Sequence, residues 1–152
     1  MKKIAVILMA SLFLFTGCSW FGGDANAENY KEAVFKTDTG DYKFYIEVAD
    51  DSDKRQLGLM HRESLDDDKG MIFIYPEEQK VAFWMKNTLI PLDMIFMDDD
   101  FEVIDYFTDV PPCEADPCPH YVPTGNSKYI IELNAGKISE IGLKRGDFVE
   151  YK

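Results

Sequence analysis

The stretch LDMIFMDDDFEVIDYF, residues 92–107, joins two apolar segments, Leu92–Met97 and Phe101–Phe107, through three consecutive aspartates. Apolar, β-branched and aromatic residues favour strands, and aspartates favour the turn between them. The stretch therefore predicts an antiparallel β-hairpin. Residues 42–48 alternate between an apolar and a more polar face, which is the pattern of a half-buried strand.

Similar strand patterns recur along the chain, separated by turns rich in Asp, Gly and Pro. Eight short strands are predicted, at Ala33–Lys36, Tyr42–Val48, Met71–Tyr75, Val81–Met85, Leu92–Met97, Phe101–Phe107, Lys128–Leu133 and Asp147–Tyr151.

Two short helices are predicted between these strands. The first is Lys54–Leu57, because acidic residues at positions 50–53 supply capping oxygens and negative charge at its start. The second is Ala135–Ile141, with Asn134 as its N-cap and Gly142 at its end. Eight strands and two helices predict a mainly β domain, either an antiparallel β-sandwich of jelly-roll type or a partly open barrel.

Composition narrows the range of functions. The chain has 152 residues, enough for one domain, with 28 acidic and 16 basic side chains and a formal charge of −12. Such a charge disfavours nucleic acid as a partner. The sequence has no glycine-rich phosphate loop, no G-x-S-x-G and no H-E-x-x-H, so we expect a binding protein rather than an enzyme, and no cofactor.

The N-terminus has the pattern of an export signal. Lys2 and Lys3 precede the uncharged run Ile4–Phe15, which is shorter than a membrane span but long enough for a signal-peptide core. The sequence Phe15-Thr16-Gly17-Cys18 resembles the lipobox of bacterial lipoproteins, in which the cysteine carries a diacylglycerol. The alternative is cleavage after Ala27 in Ala25-Asn26-Ala27, which would release a soluble protein.

The predicted organisation follows from the lipobox. Residues 1–17 form a signal peptide, residues 18–31 a tether lipidated at Cys18, and residues 32–152 a single β-rich domain. The protein is then exported and held by lipid on the outer, extracytoplasmic side of the cell membrane or in the outer membrane.

Three longer motifs resemble a known family: Arg55-x-x-Gly58-Leu59-Met60-x-Arg62, Gly70-Met71-x-Phe73 and Phe83-Trp84-Met85-Lys86-Asn87-Thr88-x-x-Pro91-Leu92-Asp93-x-x-Phe96. Shorter matches follow at Pro112-Cys113, Cys118-Pro119, Glu132–Gly136 and Gly146-Asp147. Together they resemble the bacterial and archaeal family called domain of unknown function 192, over about residues 32–151. The resemblance implies a compact, mainly β, jelly-roll-like domain, often behind a secretion or lipoprotein signal, and it implies no reaction.

Polar residues within these motifs are the candidate ligand-binding groups. Loops held by a rigid sheet often carry such groups. The alternative is a structural role, in which Lys86 forms a buried pair with a carboxylate and the arginines pair with neighbouring acidic residues such as Asp50, Asp51 or Glu63. The candidates are Arg55, Arg62, Trp84, Lys86, Asn87, Asp93 and Glu132.

Cys113 and Cys118 lie five positions apart in a proline-rich segment. Outside the cytoplasm two thiols this close are expected to form a disulfide. The alternative is a metal site that uses both cysteines with His120, and with His61 or Asp116 as a further ligand. We expect the disulfide and no metal, because a second Cys/His pair is missing.

Three functions fit these observations. The first is an envelope-tethered module that binds a small molecule, a glycan or a partner protein. The second is an enzyme acting on an envelope substrate, with Lys86 and either Asp93 or Glu132 as acid–base groups. The third is a structural or assembly component, which predicts an exposed apolar patch and no pocket.

Overall fold

The computed structural model of the protein describes residues 30–152. The predicted signal peptide, Cys18 and the alternative cleavage site at Ala27 lie outside the described residues. The elements in chain order are β1 (Lys31–Thr37), β2 (Gly40–Ala49), α1 (Ser52–Leu57), β3 (Lys69–Gln79), β4 (Leu92–Met97), β5 (Val103–Val110), β6 (Ser127–Asn134), α2 (Lys137–Ile141) and β7 (Phe148–Tyr151). No helix within this part of the chain is long and apolar enough to cross a membrane.

The seven strands form one curled sheet in the order β5-β4-β6-β3-β2-β1-β7. All neighbouring strands are antiparallel except β2 and β3, whose connection includes α1. The outer strands β5 and β7 approach each other, because the Val103 amide donates to the Asp147 carbonyl at 2.8 Å and the Val149 amide donates to the Phe101 carbonyl at 3.1 Å. The predicted mainly β fold with two short helices is confirmed, in its partly open barrel form.

One face of the sheet carries the first hydrophobic core. All seven strands contribute to it, for example Phe35 from β1, Ile72 from β3 and Ile131 from β6. Ile138 and Ile141 of α2 close one end. The predicted inward face of β2 is confirmed at Phe44 and Ile46, which are both buried there.

The opposite face of β3, β6 and β4 carries a second core, covered by loops instead of a second sheet. Residues 81–85 belong to this cover, and their prediction as a strand is wrong. Phe83 forms only an isolated bridge with Tyr121, and its ring packs edge-on against Phe73 and Phe96. Val81, Phe83 and Met85 are buried and alternate with exposed residues. Such alternation requires only that one side be covered, and here the sheet face covers it.

The two helices differ in how well local sequence describes them. Helix α1 has the predicted acidic cap, since the Asp51 carboxylate accepts from the Lys54 amide at 2.8 Å. Helix α2 ends at Gly142 with φ of 67°, as predicted, but it begins at Lys137 and Asn134 does not cap it. The Asn134 amide group donates to the Leu65 and Asp66 carbonyls instead.

Candidate functional site

Glu132 lies at the centre of the sheet. Strand β6 runs between β3 and β4, and Glu132 is opposite Met71 on one side and Met94 on the other. Its side chain shares the face of the second core with Ile130, while Ile131 points to the first core. The residue is only 4% exposed, so a carboxyl group is held where an apolar side chain would be expected.

Burial determines the ionisation of this carboxyl group. Desolvation raises the pKa of Glu132 from 4.5 to about 8. Within residues 30–152 we find no hydrogen bond or nearby cation that offsets this desolvation. At neutral pH the side chain is therefore mainly a neutral carboxylic acid, which can donate one hydrogen bond and accept others.

A pocket of about 80 Å³ opens above Glu132. Its walls come from α1 and the residues after it, from β3 and from the covering segment that contains Trp84. Most of its lining residues are apolar or aromatic, but the surface that they leave open to the pocket is mainly polar, and Arg55 and Glu132 are its two charged residues. Small-molecule sites likewise combine apolar residues with a small number of placed polar groups. The polar and aromatic members are Arg55, Gln56, Tyr75, Trp84, Thr88 and Glu132, together with Phe73 and Phe83.

Arg55 fixes one wall of the pocket. Its Nη1 donates to the Asp50 carbonyl at 2.7 Å and to the Ile74 carbonyl at 2.9 Å, and its guanidinium lies 5.0 Å from the centre of the Tyr75 ring. Burial raises the pKa of Tyr75, an effect that Arg55 opposes and Glu132 reinforces. The arginine therefore joins α1 to the middle of β3 and holds Tyr75 in place.

Trp84 stands at the mouth of the pocket and is 44% exposed. The ring of His120 packs edge-on against it at 5.9 Å, and Lys86 Nζ lies 5.4 Å from its centre. Lys86 is 40% exposed and its Nζ is 3.7 Å from Asp116 Oδ1. The buried Lys–carboxylate pair that the sequence suggested is therefore not formed.

The disulfide between Cys113 and Cys118 is present, as predicted. Both sulfur atoms are used in this bond, so the alternative metal site built on two thiolates cannot form at the same time. The disulfide loop includes Asp116, the partner of Lys86, and is followed by His120. It therefore supports the side of the pocket mouth where Trp84 lies.

Asp93 has a structural role on the other face of the sheet. It is fully buried and lies opposite Leu133, one position away from Glu132 on β6. Its carboxylate accepts from the Asp109 amide at 2.8 Å and from the Ile138 amide at 2.7 Å, so Asp93 supplies the cap of α2 that the sequence assigned to Asn134. Lys86, Asp93 and Glu132 consequently do not meet at one acid–base site.

Two further candidates lie outside the pocket. Arg62 forms a two-point ion pair with Glu47, with an Nη2–Oε2 distance of 2.9 Å, and this guanidinium lowers the pKa of Glu47. Asn87 has a φ of 56°, and its carbonyl accepts from the His61 amide at 2.8 Å. Both residues therefore hold the loops around the site without lining it.

The structure thus brings together Arg55, Trp84 and Glu132 of the predicted set, and it adds Tyr75 and Thr88. Sequence reasoning placed Tyr75 at the end of an apolar strand and Thr88 within the long motif. Nothing local distinguishes either as a pocket residue, because their position depends on segments far away in the chain.

Comparison with known proteins agrees with this architecture. The family model DUF192, described as an uncharacterised ACR, matches residues 33–151. The chain belongs to the DUF192 family. A UPF0127 protein of Thermococcus sibiricus is 32% identical over 109 residues, covering 70% of this chain and 66% of that protein. The chain therefore spans just under two-thirds of the length of that relative.

Two crystal structures resemble the DUF192 domain described above. A protein of unknown function from Novosphingobium aromaticivorans has a TM-score of 0.75 and 32% identity, covering 80% of this chain and 84% of that one. A Sinorhizobium meliloti protein, described as a proposed transcription regulator, has a TM-score of 0.73 and 31% identity, covering 80% and 93%.

The DUF192 motifs converge on the pocket. The residues through which the sequence resembles the family include Arg55, Gly58, Met60, Trp84 and Glu132, and all of them line it. They come from three separate stretches of the chain, one of which is β6 itself. Part of the sequence that carries the family resemblance therefore also builds this site.

Proposed function

We propose that this DUF192 protein is an exported lipoprotein, anchored through Cys18, whose β-domain binds a small molecule in the pocket above Glu132. The observation that carries the proposal is the buried Glu132 carboxyl group, which faces the pocket without a hydrogen-bond partner among the described residues. Burying a polar group without a partner destabilises a fold. Among the described residues only Ser127 Oγ is a fully enclosed side-chain atom without a partner, so the Glu132 carboxyl oxygens remain accessible from the pocket. A ligand that enters the pocket can supply their partner and offset the cost of desolvation.

The dimensions of the pocket favour a small molecule over a glycan or a protein. A volume of about 80 Å³ holds a head group of a few heavy atoms but not a sugar chain. Trp84 at the mouth provides an exposed aromatic surface for the rest of the molecule. The ligand is therefore expected to insert one polar end towards Glu132.

Two observations support the export part of the proposal. The lipobox-like sequence at positions 15–18 follows an apolar run of signal-peptide length. The disulfide between Cys113 and Cys118 is a bond that persists in oxidising compartments and is rare in the cytosol. Lipidation of Cys18 leaves the other two cysteines of the chain to pair with each other.

The proposed partners do not include nucleic acid. The description of the Sinorhizobium meliloti relative concerns that protein, whereas this chain carries a formal charge of −12. Phosphate backbones are bound through clustered lysines and arginines. The Glu132 pocket offers one arginine, which already contacts two carbonyl groups.

The state of Glu132 also favours a second candidate function, an enzyme that uses this residue as a general acid. A carboxylic acid with a pKa of about 8 is protonated at neutral pH and can donate a proton to a bound substrate. Since Lys86 and Asp93 do not line the pocket, Tyr75 would be the other proton-bearing group. A bound compound that is converted by the wild type, and bound but not converted by Glu132→Gln, would establish this function.

Binding is tested with a library of small fragments and two-dimensional NMR of the isotope-labelled domain. We expect hits to shift the indole signal of Trp84 and the amides of Gly58 and Thr88, which line the pocket. Lys144→Ala, a change in an exposed ion pair with Asp38, is the control and should leave these shifts unchanged. Hits that consistently map elsewhere would refute the proposed site.

Lipidation is tested by feeding expressing cells with an alkyne analogue of palmitate. The wild type should be labelled and membrane-bound, and Cys18→Ser should lose both properties. Cys113→Ser is the matched control, because it removes a cysteine of the disulfide and should keep the label. A mature protein that begins at Glu28 would instead show cleavage after Ala27.

A further inference from the structure

The two charged residues that line the pocket, Arg55 and Glu132, differ in the number of hydrogen-bond partners that they have. Arg55 donates to two backbone carbonyls, lies over the Tyr75 ring and is half-buried, so that its other N–H groups can reach water. Glu132 is 4% exposed, and no partner for it is found within residues 30–152. Of the two charged residues that line the pocket, Glu132 is therefore the one without a hydrogen-bond partner among the described residues.

We infer that the ligand carries a protonated amine, which pairs with the Glu132 carboxylate and lies against Tyr75 and Trp84. This inference rests on the proposed function and adds the chemical class of the ligand. An ammonium group supplies both the opposite charge and the hydrogen-bond donors that a buried carboxylate requires. Aromatic side chains also attract cations. Tyr75 and Trp84, two of the four aromatic residues that line the pocket, already have Arg55 and Lys86 beside their rings.

The charge of the whole protein acts in the same direction. With a formal charge of −12 the molecule attracts cations and repels anions over distances of several ångströms. The overall charge of the protein therefore favours a cationic ligand over an anionic one.

Ionisation couples the binding of an amine to the release of a proton. With a pKa of about 8, Glu132 is roughly nine-tenths protonated at pH 7, and pairing with a cation requires the carboxylate. The proton therefore leaves to solvent when the amine enters. Arg55 and Tyr75 are the other titratable groups that line the pocket. Burial raises the pKa of Tyr75 above its ordinary value, so it remains neutral below pH 9.

The test compares n-butylammonium, n-butanol and butyrate, which share one carbon chain and differ in the head group. Isothermal titration calorimetry at pH 7 in two buffers of different ionisation enthalpy gives the affinity and the number of protons released. We expect butylammonium to bind at least tenfold more tightly than either analogue, with release of about 0.9 proton. Its affinity should rise about ninefold from pH 6 to pH 7 and about fivefold from pH 7 to pH 8.

Variants link this preference to Glu132. Glu132→Gln keeps the shape and one hydrogen-bond donor but cannot become negative, and we expect it to lose at least tenfold in affinity for butylammonium and to release no proton. Glu150→Gln, at an exposed position of β7, is the matched control and should behave as the wild type. If Glu132→Gln fails to fold, Trp84→Ala should still weaken binding several-fold, and the pH series on the wild type remains decisive.

The possible failures are distinguishable. If uncharged or anionic fragments bind in the pocket as tightly as butylammonium does, the inference that the ligand is an amine is refuted. The proposed function, binding of a small molecule, is not affected by that result. Equal affinity of wild type and Glu132→Gln for butylammonium would also overturn the inference. If no fragment moves the Trp84 signal, both this inference and the proposed function are refuted.

Discussion

At the scale of single residues, the most informative feature is a carboxyl group whose burial opposes its own ionisation. Desolvation raises the pKa of Glu132 from 4.5 to about 8, so between these values the folded protein binds a proton that the unfolded chain has lost. Stability therefore falls as pH rises through this range. Asp105 and Glu47 have lowered pKa values. Their contribution to the pH dependence of stability therefore falls mainly at lower pH.

The first prediction concerns this pH dependence. The free energy of unfolding of the ligand-free domain should decrease between pH 5 and pH 8 with a slope of up to about 1.4 kcal/mol per pH unit. Glu132→Gln should largely remove the slope and stabilise the domain by a few kcal/mol at pH 8. Urea denaturation measured at several pH values tests this, with Glu150→Gln as the control. Parallel pH curves for wild type and Glu132→Gln would contradict it.

At the scale of elements, helix α2 is capped by Asp93 and not by Asn134, the residue that the local sequence predicted. Asp93 on β4 accepts from the amide of Ile138 in α2 and from the amide of Asp109 on β5. Asn134 directly precedes α2 but bonds the Leu65 and Asp66 carbonyls. A buried carboxylate with two amide donors therefore joins three elements that pack against the first core.

The second prediction compares these two residues. Asp93→Ala should destabilise the domain by about 3 kcal/mol, because it leaves two buried amides without an acceptor. Asn134→Ala should cost about 1 kcal/mol, since its partners are carbonyls near the surface. Chemical denaturation gives both values.

Hydrogen exchange separates the two roles further. The amide of Ile138 should lose protection in Asp93→Ala and keep it in Asn134→Ala. If Asn134→Ala exposes Ile138 instead, the capping assignment is wrong.

At the scale of the whole molecule, a single sheet serves two cores. The curled face is closed by the approach of β5 to β7 and by α2, whereas the other face is covered by loops that leave the Glu132 pocket open. The disulfide loop belongs to this cover, through contacts of Asp116 with Lys86 and of His120 with Trp84. The barrel therefore provides rigidity, and the cover provides the site.

The third prediction follows from this division. Cys113→Ser with Cys118→Ser should lower the free energy of unfolding by about 2 kcal/mol, the value expected for so short a loop. The fold should persist, and binding in the pocket should weaken because the Trp84 wall loses support. Thermal unfolding and fragment titration measure the two effects. Complete unfolding of the double variant at 25 °C would show that the loop is part of the barrel's stability.

Much of the fold was predictable from the sequence because it rests on local patterns. The hairpin at 92–107, the inward face of β2 and the capping of α1 by Asp51 depend on periodicity and turn chemistry within a few residues. The strand predicted at 81–85 is wrong, because a short apolar run does not specify whether the backbone joins a sheet or crosses its face. Its pairing depends on Tyr121 and its packing on Phe96, both distant in sequence.

By itself, the sequence determined the β-rich fold class, the disulfide between Cys113 and Cys118, and the family to which the chain belongs. Only the tertiary structure decided that Glu132 and Asp93 serve opposite faces of the sheet, and that Arg55, Tyr75 and Trp84 meet above Glu132. The physical reason is that local preferences act through neighbours along the chain. The solvation and pKa of a buried carboxyl group, in contrast, depend on which distant segments fold over it.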